Sequence, residues 1–137
     1  MATSTIKYSG NLRTEAMHIR SGKEIITDAP VDNNGKGEAF SPTDLAATSL
    51  ASCAMTIIGI TAAKDDVDFT NSEIEMVKTM SVDTPRRITK IELGFKFKTA
   101  TKLSEAQQKK YQRVVHTCPV ALSLHPDIEQ VYNFTWL

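Results

Sequence analysis

Ser41-Pro42-Thr43-Asp44-Leu45-Ala46-Ala47-Thr48-Ser49-Leu50-Ala51-Ser52-Cys53-Ala54-Met55-Thr56-Ile57-Ile58-Gly59-Ile60-Thr61-Ala62-Ala63-Lys64 is the stretch on which the fold turns. Its first four residues are a helix start. Ser41 can cap, Pro42 suits the first helical turn, and Asp44 stands where a capping box usually has Glu or Gln. The spacing predicts one helix from Pro42 to about Lys64, on the order of 30 Å long at 1.5 Å per residue. Ala46, Leu50, Cys53, Ile57 and Ile60 follow each other at helical spacing, and the other faces carry Ala, Ser, Thr and more Ile. From Leu45 to Ala63 only Cys53 can ionise. A helix that is small or apolar nearly all round is expected to be buried nearly all round. It is therefore the central helix, with Cys53 near its middle.

On its N-terminal side the chain reads as a meander. Thr5–Ser9 is β-prone, Gly10-Asn11 signals a turn, Arg13–Arg20 is a second strand, and Ser21-Gly22-Lys23 turns into Glu24–Asp28. The loop Ala29–Phe40 is long for a compact domain, and such loops are often functional. On the other side, Asp65-Asp66 ends the helix. Ser72–Ser81 and Arg87–Lys98 read as strands about a Thr84-Pro85 turn. In the second of these, Ile91, Leu93, Phe95 and Phe97 alternate with Glu92, Gly94, Lys96 and Lys98, which marks one buried face. Ser104-Glu105-Ala106-Gln107 is a capping box opening a helix to about His116. A short helix from Pro119 follows, then a strand Ile128–Leu137 with Tyr132, Phe134 and Trp136 on one face. The order β-β-β-α-β-β-α-α-β describes an α+β domain of mostly antiparallel strands around a long buried central helix. No linker or repeat divides it, so residues 1–137 are expected to form one domain.

Composition narrows the function. Sixteen Lys and Arg balance sixteen Asp and Glu in 137 residues, which is not the basic excess of a protein that binds nucleic acid through phosphates. The longest apolar run, Leu50–Ala63, is interrupted by Ser52, Thr56, Gly59 and Thr61, and is read as too short to span a membrane. Met1 to Thr5 carry no basic segment followed by an apolar one, so a cytoplasmic protein is expected.

Cys53 and Cys118 are too far apart in sequence for a CxxC motif or a zinc knuckle. His18, His116 and His125 form no paired ligand motif with them, so neither metal nor cofactor is expected. Gly-x-Ser-x-Gly and phosphate-loop patterns are absent. Cys118 precedes Pro119 and should cap a helix, where the dipole favours a thiolate. Cys53, packed in a helix, should be inert unless a cation approaches, and Arg13 and Arg20 are the candidates.

Two motifs then stand out together: Ser41 through Cys53, and His116-Thr117-Cys118-Pro119-Val120. With Leu12-Arg13, Ser21-Gly22-Lys23 and the loop Asn34-Gly35-Lys36-Gly37, they resemble the OsmC/Ohr family of osmotically inducible and organic hydroperoxide resistance proteins along essentially the whole chain. The resemblance implies a thiol-dependent peroxidase that reduces organic hydroperoxides, with hydrogen peroxide as a further candidate substrate, through a two-cysteine sulfenic acid/disulfide cycle. By that resemblance Cys53 is peroxidatic, Cys118 resolves it, and Arg13 steadies the thiolate and orients the peroxide. It also implies an external dithiol reductant, of lipoyl type in the best-known relatives, and an intertwined homodimer with its sites at the subunit interface. Many relatives carry a glutamate where this chain has Thr43, so Asp44 or Glu38 is the candidate carboxylate to orient Arg13. The alternative reading is a non-catalytic redox sensor or binder of a small apolar ligand. A substrate pocket would be apolar, with Leu50, Met55, Ile57 and Ile58 available to line it.

Overall fold

Two residues with positive φ, Asn11 and Leu12, make the first reversal of the chain. They join Ser4–Gly10 (β1) to Arg13–His18 (β2) in register Gly10 to Arg13, a two-residue hairpin of the kind that matches strand twist. Gly22, at φ +72°, donates its N–H to the His18 carbonyl and turns β2 into Glu24–Asp28 (β3). The three strands form an antiparallel sheet in sequence order. The computed structural model describes residues 1–137, and its chain divides into two compact units, Met1–Ala46 and Ala47–Leu137.

In the first unit the loop after β3 is folded rather than slack. Asn33 and Gly35 both donate to the Pro30 carbonyl, and a Cβ on Gly35 would lie 1.7 Å from the Ala29 oxygen. Only glycine fits there. The long helix, α1, spans Pro42–Lys64 as expected. Its start is a reciprocal cap: the Asp44 N–H donates to Ser41 Oγ at 3.0 Å, and the Ser41 N–H donates to Asp44 Oδ2 at 3.0 Å.

The second unit carries the rest of α1, from Ala47 on, and the remaining elements: Glu73–Met80 (β4), Ile88–Phe97 (β5), Glu105–Val114 (α2), Pro119–Ser123 (α3) and Glu129–Trp136 (β6). Ser104 and Gln107 form the expected capping box at α2, which stops at Val114 and gives way to a 3-10 turn, Val115–Thr117. The sheet order is β4-β5-β6. β4 and β5 are antiparallel, but β5 and β6 run parallel, because α2 and α3 carry the chain back across before β6 begins. The alternation read in β5 holds: Ile91, Leu93, Phe95 and Phe97 are all buried. In register beside them lie Tyr132, Phe134 and Trp136, with Phe95–Phe134 and Phe97–Trp136 ring centroids 5.0 and 4.5 Å apart.

The buried face of α1 differs from the expected stripe. Ala47, Leu50, Ala51, Ala54, Ile58 and Ala62 enter the core, whereas Ile60 is 52% exposed and Ser52, Thr56 and Gly59 face outward. The helix is thus buried along one side of this chain and not all round. Hydroxyls on it bond inward along the helix, Thr56 Oγ1 to the Ser52 carbonyl and Thr61 Oγ1 to the Ile57 carbonyl, so they make no demand on neighbours. The helix is also longer than the run judged from sequence. It has 23 residues and an 18-residue window of mean hydropathy 1.7, so it meets the length and composition of a bilayer span, as a core helix can.

Candidate active site

The candidate site residues fall in two groups of side chains, one in each unit. In the second unit, Cys118 lies between the 3-10 turn and α3. Its extended backbone and the following Pro119 make it the N-cap of α3, and the Ala121 N–H donates to its sulfur at 3.2 Å. The side chain is completely buried. Cys53, halfway along α1, is only partly buried, and both cysteines are free thiols. Each reaches the other as a hydrogen-bonding partner, so residues 65 positions apart meet thiol to thiol.

Burial decides the protonation of Cys118. Loss of solvation pushes its pKa up, the Ala121 and Val120 N–H groups pull it down, and the neighbouring Cys53 raises it further. The expectation of a dipole-stabilised, acidic Cys118 is thereby corrected. α3 is a single turn of five residues, too short for a large macrodipole, and the N–H groups of Ala121 and Val120 do not offset full desolvation of a thiolate. Cys118 is held as a thiol, and Cys53 is the less buried of the two residues.

Tyr132 stands close to both sulfurs. Its phenol is pushed up to about 12, first by burial and then by the charges Cys118 and Cys53 would carry. Its hydroxyl donates to Gln130 Oε1 at 2.7 Å, and Gln130 Nε2 donates to the Ala121 carbonyl at 3.0 Å. His116 meets the Tyr132 ring edge-on at 4.9 Å, rather than closing the end of α2 as its position suggested. Gln130 and Tyr132 escaped the sequence reading. The signal was present in β6, where a glutamine occupies the face otherwise filled by aromatic rings.

In the first unit, Arg13 opens β2 directly opposite Asp28 at the end of β3. The guanidinium grips that carboxylate with two bonds, Nε to Oδ1 at 2.7 Å and Nη2 to Oδ2 at 2.8 Å. Nη2 also reaches Glu38 Oε2 at 3.3 Å, and the Glu38 N–H donates to Asp28 Oδ2. Asp28 is 1% exposed. The Arg13 bond holds its carboxyl below the usual range against the opposing effect of burial, and the pair raises the Arg13 guanidinium in turn. Of the two carboxylates expected to orient Arg13, Glu38 makes a secondary contact, and Asp44 binds the Ser41 N–H in the cap of α1. The main partner, Asp28, was missed, although the β2–β3 register makes it the residue across from Arg13. Arg20 lies exposed in the turn after β2.

The expected apolar pocket lining is partly core instead. Leu50 and Ile58 are fully buried, while Met55 borders an open depression of about 410 Å³ with Ala62, Val67 and Phe69. No three His, Cys, Asp or Glu side chains gather as a ligand set for a metal.

Residues 35–131 match the family described as OsmC-like protein. A solved structure from Psychrobacter arcticus 273-4, named for an osmotic stress induced and detoxification response, is 50% identical with a TM-score of 0.93. The match covers 98% of this chain and 96% of that one. An organic hydroperoxide resistance protein OsmC from Legionella pneumophila, also named a predicted redox protein, shares the fold at TM-score 0.75 and 14% identity, over 98% of each chain. One from Elizabethkingia anophelis does so at 0.75 and 11%, over 100% of this chain and 98% of that one. No curated protein matches the sequence.

Proposed function

This chain belongs to the OsmC-like family, and from that premise we propose that it is a thiol-dependent peroxidase for organic hydroperoxides. The observation that carries the reading is the pair of free thiols in contact, one partly open and one buried and kept protonated. The Cys53 thiolate attacks the terminal oxygen of the hydroperoxide. The O–O bond breaks, the alkoxide takes up a proton and leaves as the alcohol, and Cys53 becomes a sulfenic acid. The Cys118 sulfur then attacks the sulfenic sulfur. The S–O bond breaks, and the departing hydroxide leaves as water with the proton Cys118 had kept. A dithiol reduces the resulting disulfide by exchange and is itself oxidised to a disulfide.

Arg13 is assigned the cation's role toward the peroxide and the Cys53 thiolate, oriented by Asp28 and Glu38. The working form is proposed to be a homodimer. Ile6, Tyr8 and Ile25 are 65%, 64% and 53% exposed on one face of the β1–β3 sheet, a surface suited to cover by a second copy.

The test is turnover of cumene hydroperoxide with a dithiol. Wild-type protein should consume peroxide catalytically, Cys53→Ser should not, and Cys118→Ser should accept one oxidation that dimedone traps on Cys53. Stoichiometric oxidation without turnover would replace this reading with that of a redox sensor. Sedimentation as a monomer at micromolar concentration would remove the dimer.

A further inference from the structure

Gln130 uses both ends of its amide. It lies in β6 on the same face as Tyr132, Phe134 and Trp136, where a polar side chain must find partners or cost stability. Its oxygen accepts from Tyr132 and its nitrogen donates to the Ala121 carbonyl. Ala121 in turn donates its N–H to the Cys118 sulfur. One residue of α3 is therefore gripped from the strand on its carbonyl side and grips the sulfur on its N–H side.

Packing holds α3 only in part. It has five residues, of which Val120 and Ala121 pack partly buried against the core, none is fully buried, and Leu122 is 73% exposed. Packing fixes a longer helix, but a single turn with so small an apolar face depends also on its polar ties. The tie through Gln130 is the one that runs from α3 to a strand of the central sheet.

We propose that Gln130 is a positioning residue for the resolving step: its clamp on Ala121 holds the Cys118 sulfur in line for attack on the Cys53 sulfenic acid. The reaction served is the one written above, and the proposal rests on the peroxidase reading for that step. Gln130 touches neither sulfur itself. It acts through the Ala121 peptide, and a sulfur displaced by a fraction of an ångström to an ångström loses much of its effective concentration at the target.

Two variants and two measurements test it. Gln130→Leu keeps the side-chain bulk and removes both polar atoms. Gln130→Glu keeps an acceptor for Tyr132 but sets an oxygen against the Ala121 carbonyl. In single turnover with cumene hydroperoxide and no reductant, both should oxidise Cys53 within about twofold of wild type yet form the disulfide about tenfold more slowly, the cost of one lost clamp. The Cys53 dimedone adduct should accumulate meanwhile. In the reduced protein without peroxide, Cys118 should be alkylated by iodoacetamide about tenfold faster in both variants, with Cys53 changed less than about twofold. Disulfide formation at wild-type speed in both variants overturns the proposal. So does an equal slowing of both chemical steps, which would mean a general loss of structure. If wild-type Cys53 is not oxidised at all, the peroxidase reading falls and the resolving role with it. The alkylation arm then still decides whether Gln130 holds Cys118.

Discussion

Native-state alkylation should separate the two cysteines by a large factor, and its size follows from what closes over Cys118. For reagent to reach that sulfur, the α3 turn has to lift. Lifting breaks the Ala121 N–H bond to the sulfur and the Leu122 N–H bond to the Cys118 carbonyl, both 3.2 Å. It also breaks the Leu124 N–H bond to the Val120 carbonyl at 3.1 Å and the Gln130 clamp at 3.0 Å. At about 1 kcal/mol net for each bond, opening costs about 4 kcal/mol, a population of roughly one in 10³. Cys53 needs no such opening, since it is partly exposed. Iodoacetamide followed by peptide mass spectrometry should therefore label Cys53 about 10³-fold faster than Cys118 at neutral pH. Because burial raises the Cys118 pKa, its labelling should keep climbing with pH beyond the range of an ordinary thiol. In guanidinium the difference should vanish. Labelling of Cys118 within about tenfold of Cys53 in the native protein would refute the account of α3 as a closed cap. Slow labelling of both would favour two inert core thiols and undo the proposed chemistry.

Asp28→Asn should slow peroxide consumption about tenfold, while Glu38→Gln should slow it less than about threefold. Asp28 takes two short bonds from Arg13 and is buried, whereas Glu38 makes one longer contact and is largely exposed, so the reverse order in a steady-state assay would show that the Asp28 pairing does not orient Arg13. Tyr111→Phe should cost about 1 kcal/mol, or about 3–4 °C in melting temperature, because the buried hydroxyl bonds Asp65 at 2.7 Å but Asp65 keeps Lys110 when it is lost. A loss above about 3 kcal/mol would mean that Lys110 does not compensate. Tyr111 and Tyr132 are both pushed up to about 12 from 10.0, so their contribution to stability is full below pH 10 and disappears as pH rises through 12. Thermal melts should fall steadily across that interval, and a flat profile would contradict the burial of both phenols.

Elements whose signals lie within a few consecutive residues could be read from the chain directly. The cap at Ser41-Pro42-Thr43-Asp44 and the run of small and apolar residues without a charge placed α1 at Pro42–Lys64, and the alternation in β5 identified its buried face. Ser104 with Gln107 announced α2, and the two cysteine motifs indicated the family. In each case the controlling interaction is local: a cap, a pleat, a turn.

What the tertiary structure decided depends on residues distant in sequence. The side of α1 that enters the core is set by what packs on it, and a helix with no charged face carries no mark of which side that is. The parallel pairing of β6 follows from the crossover through α2 and α3, which strand periodicity cannot reveal. Asp28 became the partner of Arg13 through the β2–β3 register. Cys118 became a protonated thiol because burial outweighs a one-turn helix, and desolvation is a property of the surrounding shell rather than of the neighbouring residues in the chain.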